Sequence, residues 1–228
     1  MTKKGIHIVF LLFFCFSLLA QNKSDSLAVN FHLEFDKLPL EVNKKYVSSS
    51  KDTLTIETFR CYISNIQVHY NDKSVFTQKD SYHLLDLDKP NSFKIPITKK
   101  SDKLISKITF NIGIDSVTNN SGALTGDLDP AKGMYWAWQS GYINMKIEGK
   151  SSSCKTQKNE FQFHVGGYLQ PYYAMRTIEI NGNININIGI DLNVFFSNVN
   201  LKQINSVMIP GKLAMELANL STKMFHLE

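Results

Sequence analysis

Tryptophan occurs twice and cysteine three times in the 228 residues, and the motifs of several common chemistries are missing. There is no glycine-rich phosphate loop, no G-x-S-x-G and no H-E-x-x-H, so nucleotide, α/β-hydrolase and zincin chemistry find no support in the sequence. No nucleophile is paired with a base, and the chain reads as a binding protein, not an enzyme. Basic residues are scattered without interleaved aromatics, which argues against nucleic acid as a partner. No internal repeat and no low-complexity linker divides the chain, and a single domain is expected.

The long apolar run of a membrane helix is also missing. Lys3 and Lys4, then an apolar run from Ile6 to Phe16 and the small residue Ala20, have the layout of a secretory signal. That run is too short to span a bilayer. Cleavage after Ala20 would leave Gln21–Glu228, 208 residues, enough for one medium-sized domain with its own core. It would also lower the formal net charge from +5 to +3 and leave no integral membrane segment. A periplasmic or secreted protein is the expectation. Retention of the segment as an uncleaved anchor is the competing reading.

Export removes Cys15, leaving Cys61 and Cys154. An even count in an oxidising compartment is compatible with one structural disulfide, and equally with two free thiols. Cys61 lies on a strand's apolar face, where a thiol is usually inert packing.

What is abundant is alternation. Val29, Phe31, Leu33 and Phe35 alternate with Asn30, His32 and Glu34. Ile108, Phe110, Ile112 and Ile114 do the same, as do Phe161, Phe163 and Val165. The longest case runs through Ile184, Ile186, Ile188, Ile190, Leu192 and Val194. Such segments are half-buried antiparallel strands. In "TFRCYISNIQVHY" the apolar phase shifts at Ser64–Asn65, which predicts a bulge. Residues 115–132 lack periodicity and read as a long loop. Only "IPGKLAMELANL" has helical spacing, with Leu213, Leu217 and Leu220 on one face after Pro210. The expected architecture is an all-β, antiparallel two-sheet β-sandwich with a short C-terminal helix.

Five histidines follow the export segment: His32, His69, His83, His164 and His226. By alternation His164 points away from the face that Phe161, Phe163 and Val165 bury, and His32 likewise opposes its strand's apolar face. An ordinary exposed strand histidine competes at each position with a metal ligand, since imidazole serves copper and zinc well. Asp127 and Asp129 offer hard oxygens for calcium, but a turn ending at Pro130 explains them more simply. The two tryptophans, Trp136 and Trp138, are spaced to share a strand face. Across Gly141 the apolar positions change from even to odd, so the indoles face away from the core that Ile143, Met145 and Ile147 join, unless Gly141 marks a bulge.

"GMYWAWQSGYINMKIEG", with "FQFHVGGY" after it and "FRCYISNIQV" and "HLLDLD" before it, resembles the MbnP-like copper-binding proteins over roughly Val29 to Leu192. These are exported β-sandwich proteins named for a member associated with methanobactin. The resemblance implies copper as cofactor. In characterised members a tryptophan oxidised to kynurenine binds it together with histidines, and a dihaem cytochrome peroxidase-type partner performs the oxidation in some. An outer-membrane transporter is a further implied partner. Carried over, Trp136 and Trp138 match the tryptophan pair and His164 the histidine of the F-H-x-G segment. The departure is the loop "TNNSG", which holds Asn119, Asn120 and Ser121 where some relatives carry an Asn-His pair. His32, His226 or the thioether of Met224 would have to substitute for that histidine. The alternative is a metal-free binding or structural module of the cell envelope that keeps the family fold.

Overall fold

The computed structural model describes residues 26–99, 101–182 and 186–228. The expected export signal and the Ile184 end of the longest alternating run lie outside the described residues. Fifteen strands are present among those described: β1 (Ser26–Phe35), β2 (Leu38–Pro39), β3 (Lys45–Val47), β4 (Thr53–Tyr70), β5 (Val75–Thr77), β6 (Tyr82–Asp86), β7 (Lys94–Lys99), β8 (Ile105–Ile112), β9 (Tyr135–Trp136), β10 (Gly141–Ser151), β11 (Glu160–Gly166), β12 (Arg176–Asn181), β13 (Asn187–Asp191), β14 (Ser206–Val207) and β15 (Phe225–Leu227). Three α-helices join them: α1 (Ser116–Asn120), α2 (Leu192–Phe196) and α3 (Lys212–Ser221).

The strands form two facing sheets. A five-stranded sheet runs β15-β13-β1-β2 with β7 paired to β1, and a ten-stranded sheet runs β12-β8-β4-β10-β11-β14 with four short strands attached. Their inner faces meet where the Phe110 ring of β8 sits edge-on to Phe31 and Phe225, 5.5 Å from each. The period-two residues do what their spacing demands: Val29, Phe31, Phe35, Ile108, Phe110, Ile112, Phe161, Phe163 and Val165 are all buried. The phase shift in β4 is a bulge, with Asn65 in the left-handed region and the register with β8 slipping between Ser64 and Gln67.

Four expectations are corrected. The sheets are mixed, not purely antiparallel: β1 runs parallel to β13, with Phe31 opposite Ile188, and β11 runs parallel to β14. More than 150 residues separate β1 from β13, so no hairpin dictates their direction and the long connection permits parallel pairing. The run toward Val194 is not all strand, because the Asp191 carboxylate accepts the Asn193 amide at 2.9 Å and starts α2 there. Residues 115–132 are not an irregular loop but hold α1 and two 3₁₀ turns. Finally, α3 buries Ala214, Leu217, Ala218 and Ser221, while Leu213 points to solvent.

Cys61 and Cys154 are free and buried, so the disulfide reading gives way to the two-thiol one. Among the described residues no helix is long and apolar enough to cross a membrane.

A second apolar cluster lies on the other face of the large sheet. Tyr62, Leu84, Ile114, Leu128, Met134, Trp136, Tyr142 and Ile143 form it. Ile143 belongs there while Met145 and Ile147 belong to the main core, because the β10–β11 register slips between Ile143 and Met145. The phase change seen in the sequence is therefore real, but the bulge lies just after Gly141. Residues 115–142 are the lid of this cluster.

Candidate metal centre

Polar side chains hold the lid in place. Asp115 caps α1 by accepting the Thr118 amide at 2.9 Å, and it also accepts the Tyr82 hydroxyl at 2.7 Å. Asn119 donates to Ile114 O at 2.9 Å and accepts the Tyr142 amide at 2.8 Å. Asn119 of "TNNSG" is thus a bracket between α1 and β10. Asp127 accepts the Leu84 amide at 3.0 Å and pairs with Lys132, and Asp129 accepts the Ala131 amide at 2.8 Å. Asp129 is thus committed to its turn, as the simpler reading of that loop expects, while Asp127 ties the loop to β6. Lys146 donates to Gly133 O at 2.5 Å, and Arg60 reaches Lys132 O, so two cations anchor the chain just before the tryptophans. Burial holds the Lys146 amine below its ordinary range.

From this anchor, β9 and β10 form a hairpin with Trp136 opposite Gly141 and Tyr135 opposite Tyr142. Strand β9 ends at Trp136, and residues 137–140 are the turn. Trp138 therefore does not share a strand face with Trp136, although the two rings stay 6.2 Å apart. The pair divides its roles. Trp136 is 7 % exposed and part of the second cluster, whereas Trp138 is 65 % exposed.

The Trp136 ring lies on Gly166 of β11, where a Cβ would come within 2.7 Å of its Cζ3. His164 precedes Gly166 by two residues on the same strand face, about 6.7 Å away along the strand. The structure thus brings Trp136 and His164 to one face of the large sheet, as their sequence pairing implies. His164 is buried, not exposed, and its Nε2 meets Glu148 Oε1 at 2.6 Å. That contact holds the Glu148 carboxyl below its usual range. Sequence reading missed Glu148. Only the β10–β11 register, which sets Lys146 opposite His164, puts it within reach.

The remaining candidates lie elsewhere. His32 on β1 and His226 on β15 belong to the five-stranded sheet, and Met224 is buried in the main core. None of them is a substitute ligand beside Trp136. Among the described residues, no three His, Cys, Asp or Glu side chains are already gathered as a metal-binding group.

Comparison with known proteins agrees with the resemblance. No curated protein matches the chain significantly. A solved structure of MbnP from Methylosinus trichosporium superposes with a TM-score of 0.59 at 13 % identity, over 82 % of each chain. At that identity the likeness speaks for the fold alone. The sequence profile of the family described as MbnP matches residues 24–209, which takes in both tryptophans, His164 and every described strand except β15: the chain belongs to the MbnP family.

Proposed function

We propose that this chain is an exported copper-binding protein of the cell envelope, binding and not catalytic, with its site on the Trp136–His164 face of the large sheet. The observation that carries the reading is the seat of His164: a buried imidazole fixed by Glu148 and flanked, two residues along, by the Trp136 indole. With Nε2 held by Glu148, Nδ1 is the nitrogen left to meet a metal. A carboxylate on the far nitrogen orients an imidazole and raises its basicity as a ligand. Family membership and the export-type N-terminus support copper and the envelope.

The unmodified chain offers one imidazole here, which fits copper only when a second strong donor is added. Oxidation of an indole to kynurenine would add it, and Trp138 is the ring an oxidising partner protein can reach. Copper, when bound, supplies a soft cation that prefers nitrogen and sulfur donors. This chain's residues hold the histidine, seat the indole and close the apolar floor beneath both.

The test is metal analysis of protein exported to a periplasm, with and without a dihaem oxidase of the cytochrome peroxidase type. Near-stoichiometric copper that is lost in His164→Ala, with a mass gain on the tryptophan peptide, supports the proposal. Copper-free protein after loading and co-expression overturns it in favour of a metal-free module, a reading that the hydrogen-bonded His164–Glu148 pair also accommodates.

A further inference from the structure

On the outer face of the five-stranded sheet, His32 of β1, Gly189 of β13 and His226 of β15 stand side by side in register. Glu34 shares that face two residues beyond His32, and Glu228 follows β15. Their side chains are strung together. His32 Nδ1 lies 2.5 Å from Glu228 Oε2, Glu228 also stands beside Glu34, and Glu34 Oε2 lies 3.5 Å from His226 Nε2. Gly189 makes the arrangement possible, because a Cβ there would come within 2.2 Å of the His226 ring.

Two features of this group are poorly explained by the protein alone. The Glu34 side chain is only 10 % exposed, yet its Oε2 has no hydrogen-bond partner. The 3.5 Å between that oxygen and His226 Nε2 is no hydrogen bond, but it is a ligand-to-ligand spacing. Two donors each 2.0–2.1 Å from a tetrahedral ion lie roughly 3.4 Å apart. Burial, then the Glu228 contact, pushes the Glu34 carboxyl above its usual range, an environment that a bound cation would ease. The other acid facing the group, Asp191, is taken up by the Asn193 and Asp36 amides.

We propose that His32, Glu34, His226 and Glu228 bind one divalent transition-metal cation of the zinc type, at a site separate from the tryptophan face. Two imidazoles and two carboxylates suit a borderline ion, not calcium or magnesium. The four donors are not pre-gathered. Binding draws them round the ion. His226 and Glu228 lie beyond residues 24–209, so the family match does not supply this donor set. Occupancy would tie the C-terminal strand to β1 across β13.

Isothermal titration of tag-free residues 21–228 with zinc chloride near pH 7 tests this. One zinc per chain is expected, weakened in His32→Gln, Glu34→Gln and His226→Gln by at least the roughly tenfold that even an outer-shell partner costs. His32 is half-exposed, so His32→Gln should melt like the wild type without metal, and it keeps the test valid if the buried variants misfold. Affinity no better than about millimolar, or wild-type affinity in His32→Gln, overturns the proposal. His164→Ala leaves the zinc isotherm unchanged while abolishing copper at the tryptophan face, so failure of either site is read separately.

Discussion

His164 and Glu148 sit diagonally across β11 and β10, and their side chains meet at 2.6 Å on the outer face of the large sheet. The contact makes the acid limb of stability depend on Glu148. Its folded-state pKa is depressed from the ordinary 4.5, so the stabilisation is present above that value and is lost as pH falls through the folded pKa. Urea unfolding of wild type and Glu148→Gln should differ by roughly 1–3 kcal/mol at neutral pH. The gap should close as pH falls below about 4.5. A gap that is constant with pH would show that the pair contributes no linkage.

The tryptophans should separate cleanly in energy. Trp136→Ala empties a buried place in the second cluster and should cost on the order of 3–5 kcal/mol. Trp138→Ala, at an exposed turn, should stay within about 0.5 kcal/mol of wild type. Thermal melts of the two variants decide it.

Fluorescence gives an independent view of the same pair. Trp138→Phe should leave blue-shifted, quencher-resistant emission from the buried Trp136, and Trp136→Phe should leave red-shifted emission that acrylamide quenches readily. Similar spectra from the two variants would contradict the hairpin as described.

Gly166→Ala tests the seat of the indole. A methyl there would press on Trp136 at 2.7 Å and on the Tyr142 carbonyl oxygen at 2.8 Å, so rigid backbone opposes it as well as a ring. A loss of about 1–3 kcal/mol is expected, with a change in Trp136 emission.

The thiols should be silent in the folded protein. Burial pushes Cys154 up to about 11 and Cys61 higher still. Residues 21–228 should therefore resist iodoacetamide at neutral pH, titrate two thiols once unfolded, and melt at the same temperature with or without reductant.

Much of this molecule is written locally. Alternation in residues 29–35, 108–112 and 161–165 marks the strands and their buried sides, because neighbouring side chains in a pleated chain must face opposite ways; Ile114, read with them, lies past β8 in the second cluster. The Ser64–Asn65 phase shift locates a bulge for the same reason, and the paired "WAWQSGY" and "FQFHVGG" segments identify the family. Alternation alone misread Leu192–Val194, where an Asp191 cap starts a helix within an apolar run that also fits a strand.

The sequence by itself marked several strands and their apolar sides, and showed that His164 and His32 face away from the core. Only the tertiary structure decided what those histidines meet. Parallel pairing of β1 with β13, the slip after Ile143 and the return of residues 225–228 to β1 join groups as far as 196 positions apart. Periodicity along a strand carries no information about register between strands, and it is register that sets Glu148 against His164 and His226 across Gly189 from His32.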